Sequence, residues 1–163
     1  MKASHSLNNL LKLFLSEKID FVIVGGFAGV VYGSSMVTKD LDLCFLLTPE
    51  NILKLRQVLQ PYNPKLRITP KKLPFLEYPK DISKLKNLYL ETDLGIVDLI
   101  SNITGVGDFQ RVASHAKTIE LFGYTCKVIA LEDLIEAKTA LGREKDLAMV
   151  KELKVIQERL QKK

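Results

Sequence analysis

Hydrophobic positions near the start of the chain recur at helical spacing. Leu7, Leu10, Leu11, Phe14 and Leu15 form a stripe that predicts an amphipathic helix packed on a sheet, with Ser6 as its N-cap. The period then changes. Phe21–Val24 is a short apolar run rich in β-branched residues and bounded by Gly25-Gly26, the pattern of a buried strand. A helix-compatible piece, Phe27–Tyr32, is closed by Gly33, and a second strand opens on Asp40 and Asp42 and stays apolar through Leu47. Thr48-Pro49 supplies a cap and then a proline at the first helical position. Ile52, Leu55, Val58 and Leu59 line the buried face of that helix, and Pro61 ends it.

Residues 61–86 lose this order. Five of the six prolines fall between Pro61 and Pro79, among Lys65, Arg67, Lys71, Lys72, Lys80, Lys84 and Lys86, which predicts a loop-rich insertion with little regular structure. It reads either as a solvated connector or as a basic wall over a site. Leu88–Thr92 and Ile96–Ile100 follow as a hairpin around Asp93-Leu94-Gly95. Gly105–Asp108 marks a further loop, and Ile119–Leu121 with Tyr124–Ile129 reads as a smaller hairpin around Phe122-Gly123. His115, ahead of it in a polar context, reads as a surface histidine. The chain closes in helices over 131–163: Leu131–Ala140, a break at Gly142, then Lys145 to about Leu160. Leu147, Val150, Leu153, Ile156 and Leu160 form the buried stripe of the last helix. The order of elements predicts an α/β (α+β) fold, a mixed β-sheet flanked by helices with a helical C-terminus.

A length of 163 residues suits one domain, 1–163, with a core of its own. Composition changes little: 47% hydrophobic and 26% charged residues are ordinary for a soluble globular protein. The two cysteines, Cys44 and Cys126, are far apart and lack a metal-binding spacing, so a reducing, cytoplasmic setting fits best. The most apolar stretch is interrupted by Gly25, Gly26, Gly29 and Gly33, short of a membrane span, and no secretion signal is legible at the N-terminus. The net charge of +5 points to an anionic partner: a nucleotide, RNA, or the triphosphate of a substrate.

The candidate chemistry lies between residues 21 and 47. Gly25-Gly26 lets the backbone turn tightly and lie close against a ligand. Asp40 and Asp42 stand at i and i+2 of a strand, so their carboxylates share a side. If the strand ending at Gly25 and the strand opening at Asp40 run antiparallel, the turn and the acids meet. Open N–H groups beside two converging acids suit a phosphate chain carrying a divalent metal. Asp98 adds a carboxylate inside an apolar strand, flanked by Val97 and Leu99, which is costly to bury unless paired or bound to metal. Asp93, beside the turn glycine, is better explained as turn chemistry.

Gly-Gly, thirteen residues, then Asp-Leu-Asp, set between one strand and the next, resembles the signature of the nucleotidyltransferase superfamily. The match is nearest to its minimal nucleotidyltransferases and the nucleotidyltransferase toxins of abortive-infection systems. The passage LEDLIEAKTALGREKDLAMVKEL also resembles the end of the minimal members, where a lysine, an arginine and an aspartate recur. The resemblance implies a nucleotidyltransferase-like sheet on which Asp40, Asp42 and Asp98 hold Mg²⁺ (or Mn²⁺) and Gly25 and Gly26 contact a nucleoside triphosphate. Lys138, Arg143 and Lys145 would reach phosphates, or Asp146 would cap the helix and pair with Arg143 or Lys145. Ser34, Ser35 and Lys39 are further phosphate-binding candidates, the serines equally readable as turn residues. One departure stands out. Similar sequences often carry an arginine two residues before the threonine that precedes the acids, and here Met36 stands before Thr38; Lys39 or a loop lysine would have to substitute.

A dinucleotide-binding turn does not fit, because Val24 stands where its first glycine should be. The lysine of a phosphate-binding P-loop is absent as well. Two functions follow. One is an enzyme transferring NMP from an NTP to an acceptor hydroxyl on an RNA end, a protein or a small molecule. The other is a catalytically silent relative, an antitoxin-like or regulatory module that binds nucleotide or a cognate toxin or antitoxin protein.

Overall fold

Four buried apolar residues in a row, Phe21 to Val24, sit at the middle of the molecule and end in a glycine turn. The computed structural model describes residues 2–162, with side chains from Leu7 onward. Helix α1 (Lys2–Ser16) starts ahead of Ser6, so Ser6 lies within the helix and not at its cap. Its stripe Leu7, Leu10, Leu11, Phe14 and Leu15 is buried as the spacing predicts. Strand β1 (Val22–Val24) is followed without a gap by α2 (Gly25–Tyr32), which Gly33 ends in the left-handed region at φ 112°. Strand β2 (Asp40–Cys44) leads to α3 (Pro49–Leu59), capped by the Thr48 side chain, which accepts from the Asn51 N–H at 3.2 Å.

The remaining strands are β3 (Lys65–Leu66), β4 (Asn87–Thr92), β5 (Gly95–Ile100), β6 (Asn102–Ile103), β7 (Gly107–Asp108), β8 (Lys117–Leu121) and β9 (Tyr124–Val128). Helix α4 (Phe109–His115) lies between β7 and β8, and α5 (Leu131–Leu141) and α6 (Glu144–Gln161) close the chain. Seven strands form one mixed sheet in the order β3-β4-β5-β2-β1-β9-β8, and β6 pairs with β7 in a separate ribbon. β1 and β2 are antiparallel, β2 and β5 parallel, and β1 and β9 parallel. One face of the central strands is wholly apolar. Ile23, Leu41, Leu43, Leu90, Val97 and Leu99 are fully buried there and join the α1 stripe in a single cluster.

Three segments differ from the sequence reading. The 61–86 insertion carries an edge strand, β3, and a fully buried Phe75. Arg56 holds the insertion down, donating from Nε to the Phe75 carbonyl at 2.8 Å and from Nη2 to the Pro79 carbonyl at 3.0 Å. The loop at Gly105–Asp108 opens helix α4, whose cap is Asp108, accepting from the Arg111 N–H at 3.0 Å. In α6 the buried face is Asp146, Met149, Val150 and Leu153, while Leu147 and Leu160 are exposed. The helix is turned by two anchors: the buried Asp146 carboxylate, and Met149, whose sulfur lies 2.8 Å from where a Cβ on Gly29 would stand.

Candidate active site

Register puts four side chains in a row on the polar face of the sheet. Val24 is opposite Asp42 across β1/β2, Asp42 opposite Asp98 across β2/β5, and Asp98 opposite Tyr89 across β5/β4. Cross-strand partners share a face, and Asp40, two places from Asp42, shares it too. The apolar residues that alternate with the acids fix this register, since a slip by one would bury the carboxylates in the core.

The glycine turn closes against the row. Gly25 has φ +65°, where a side-chain-bearing residue costs about 1–2 kcal/mol. A Cβ there would also overlap the Asp42 carboxylate. Backbone and acid are therefore in direct contact. At Gly26 a Cβ would stand 3.0 Å from Thr38 Oγ1. That hydroxyl donates to the Asp40 carbonyl at 3.0 Å and sets the start of β2.

The facing wall comes from α5 and the start of α6. Lys138, Arg143 and Lys145 line, together with Gly25, Asp40, Asp42 and Asp98, a cavity of about 460 Å³. Asp146 fixes two of these cations from below. Its side chain is fully buried. It accepts from Arg143 Nε at 2.6 Å and Nη2 at 3.2 Å, from the Arg143 backbone N–H at 3.3 Å, and from Lys138 Nζ at 3.3 Å. Burial pushes the Asp146 carboxyl up, but the hydrogen bonds and charges of Arg143 and Lys138 outweigh it and hold the group below the usual range.

The sheet acids behave differently. Burial, then the neighbouring Asp98 carboxylate, push the Asp42 pKa up to about 6, with Lys138 offsetting part of the shift and Asp40 adding to it. Burial also raises Asp98, against the lowering effect of Arg67. Arg67 Nη2 donates to Asp98 Oδ1 at 2.6 Å. The guanidinium lies 5.7 Å from the Tyr89 ring centroid, and its buried Nε–H has no partner among the described residues.

No family model matches the sequence, and no curated protein matches it significantly. Solved structures do. A lincosamide antibiotic adenylyltransferase, LnuA, crystallised with lincomycin bound, superposes with a TM-score of 0.61 at 19% identity, over 93% of this chain and 96% of its own. The chain has the nucleotidyltransferase fold. A candidate nucleotidyltransferase from Thermotoga maritima also matches, with a TM-score of 0.49 at 16% identity over 96% of this chain and 93% of that one.

The nucleotidyltransferase fold of this chain brings Gly25, Asp40, Asp42, Asp98, Lys138 and Arg143 to one cavity. Other candidates stand elsewhere. Ser34 Oγ and Ser35 Oγ donate to Glu152 at 2.5 and 2.6 Å, and the Ser35 N–H to the same carboxylate at 3.1 Å. That contact ties the loop before β2 to α6. Lys39 is exposed and does not line the cavity. Met36 packs partly buried against the core. Neither Arg67 nor Tyr89 carries a sequence signal of its own: Arg67 is one cation among many in its insertion, and Tyr89 has no motif around it.

The implied metal is tested by the donors themselves. Three carboxylates on one sheet face offer the hard oxygen ligands that Mg²⁺ and Mn²⁺ prefer. Burial first, and then the neighbouring Asp98 carboxylate, raise Asp42, and Lys138 and Arg67 offset only part of that. Among the described residues no three acidic, histidine or cysteine side chains already close round a single point, and one Asp98 oxygen is engaged by Arg67. The donor set fits a divalent cation, with Arg67 as its competitor.

Proposed function

We propose that this chain is a metal-dependent nucleotidyltransferase that moves a nucleoside monophosphate from an NTP to an acceptor hydroxyl and releases pyrophosphate. The observation that carries the reading is the Asp42–Asp98 register pair, with Asp40 beside it, facing Lys138, Arg143 and Lys145 across one cavity. One cavity thus carries acids suited to metal ions and cations suited to phosphate. Asp40, Asp42 and Asp98 would hold Mg²⁺ or Mn²⁺, which when bound stabilises the attacking and leaving oxygens. Gly25, which lines the cavity, and Gly26 next to it would donate backbone N–H groups to the triphosphate. Lys138 and Arg143, held by Asp146, counter the charge that grows on the departing pyrophosphate. Asp98 takes the proton of the acceptor hydroxyl. Ile100, Ile103 and Leu134, on the cavity's apolar side, exclude water from the bound nucleotide.

The lincosamide antibiotic adenylyltransferase of the same fold makes ATP and a small hydroxylated acceptor the first pair to test. RNA 3′ ends and protein hydroxyls are the other acceptor classes this chemistry admits. A silent module of the same fold, binding nucleotide or a toxin or antitoxin partner, is favoured by one observation, the apolar packing of Met36 at the place of an arginine. The test is incubation with each α-labelled NTP and Mg²⁺ across these acceptor classes. Transfer of label, abolished by chelator, supports the enzyme; NTP binding without transfer to any acceptor or to water supports the silent module.

A further inference from the structure

Of the three acids Asp40, Asp42 and Asp98, only Asp98 is held in an ion pair among the described residues. Arg67 Nη2 reaches its Oδ1 at 2.6 Å, both side chains largely shielded from solvent at 27% and 14% exposure. Arg67 arrives from the insertion beyond β3, anchored by its own N–H donating to the Tyr89 carbonyl at 3.0 Å and by its guanidinium over the Tyr89 ring. It is not part of the cavity wall; it approaches Asp98 from the β4 side.

From this geometry we infer that Arg67 is an internal counter-ion that competes with the divalent cation for Asp98, so that loading the site requires the pair to open. The inference rests on the nucleotidyltransfer reading and adds a residue that controls when its metal ligands become available. Three observations support it. The guanidinium neutralises a carboxylate whose ionised form burial disfavours. It does so with part of its hydrogen-bonding capacity unused, because Nε–H is buried without a partner among the described residues; a donor left in that state carries a desolvation cost that another arrangement can relieve. Its backbone is held by a strand of only two residues, β3, paired with β4 and bridged on its other side to Pro74 of the same insertion, a shorter support than the central strands beneath Asp98. Asp40 and Asp42 have no ion pair of this kind among the described residues. Control of loading therefore falls on the third carboxylate alone.

The test is Mn²⁺ affinity without nucleotide, read from the free-ion EPR signal at pH 7, for wild type, Arg67→Gln, Arg67→Lys, Asp98→Asn and the double variant Arg67→Gln/Asp98→Asn. Removing the competitor should tighten Mn²⁺ binding about ten-fold, the weight of one charge-assisted hydrogen bond. Arg67→Lys, which keeps the charge but loses the planar fork, should fall between wild type and Arg67→Gln, and it serves if Arg67→Gln does not fold. In the Asp98→Asn background, Arg67→Gln should change nothing. A purely structural arginine would give equal or weaker Mn²⁺ binding when removed, and that result, with Asp98→Asn still weakening the ion, would overturn this inference alone. No Mn²⁺ binding in any variant would overturn it together with the metal-dependent reading of the site.

Discussion

Asp42 and Asp98 are direct register partners on adjacent parallel strands. Two ionised carboxylates on neighbouring strands of one face repel each other, and partial burial removes the water that would screen them. The fold tolerates this because each acid has an apolar neighbour on either side, Leu41 and Leu43 or Val97 and Leu99, that is fully buried on the other face. The core thus holds in place a charge arrangement that is unfavourable in isolation.

A pH dependence follows from Asp42. Its folded-state pKa of about 6 lies above the ordinary 3.8. A raised carboxyl contributes stability below pH 4 that is lost as the pH climbs through 6. Asp42→Asn removes that loss. Without metal, the variant should match wild type near pH 4 and exceed it by on the order of 1–2 kcal/mol at pH 7.5, after allowing for solvent screening. Urea denaturation at the two pH values measures the difference; a gain at pH 4 equal to that at pH 7.5 would show that the carboxyl titrates normally.

The two turn glycines should respond unequally to alanine. Gly25→Ala meets both the positive φ and the Asp42 carboxylate, so a loss of at least about 2 kcal/mol is expected. Gly26→Ala meets only the Thr38 hydroxyl and methine, a side chain that can shift by a few tenths of an ångström. Chemical denaturation of the two variants should place Gly25→Ala clearly lower. Equal stabilities would mean that the turn relaxes away from Asp42.

Much of this was legible from residue pattern because local rules and fold agree over the first 60 residues. The β1 run, the Thr48-Pro49 helix start and the Asp40/Asp42 pair all appear where the pattern puts them. The convergence of Asp98 with Asp42 depends on a parallel pairing across more than fifty residues of chain, which spacing alone does not encode; the apolar setting of Asp98 was the clue. The buried face of α6 departs from its hydrophobic period for a related reason. Leucines at 147 and 160 keep helical period but lie outside the face that Asp146 and Met149 anchor, and a buried aspartate is invisible to a hydrophobic count. Arg67 lay among six lysines of its insertion, and only the short β3 pairing selects it.

Asp146 is predicted to act at a distance from the chemistry. Asp146→Ala strips the buried partner from Lys138 and the N-terminal cap from α6, at a cost of about 2–3 kcal/mol. It should also weaken NTP binding, because the two cations lose their fixed positions at the cavity. Calorimetric titration with NTP in Mg²⁺, on protein shown to be folded by circular dichroism, separates the effects. Unchanged affinity would place the phosphates away from Lys138 and Arg143.

Met36 makes an opposite prediction. Since it packs against the core while Lys138, Arg143 and Lys145 already line the cavity, Met36→Arg should leave NTP affinity within about three-fold, whereas Lys138→Ala should weaken it by about ten-fold, one charge-assisted contact. A large gain in Met36→Arg would mean that phosphate passes close to the α2–β2 loop.

The central claim is that the three sheet carboxylates perform metal-dependent nucleotidyl transfer. It is tested most directly by pyrophosphate release from NTP, with the best acceptor found, in wild type, Asp42→Asn and Asp98→Asn, with Mg²⁺ or with chelator. Metal-dependent release in wild type that falls by about 100-fold or more in both variants is the predicted result, since each substitution removes a ligand of the reacting site. Release that persists in Asp98→Asn, or in the presence of chelator, would contradict it.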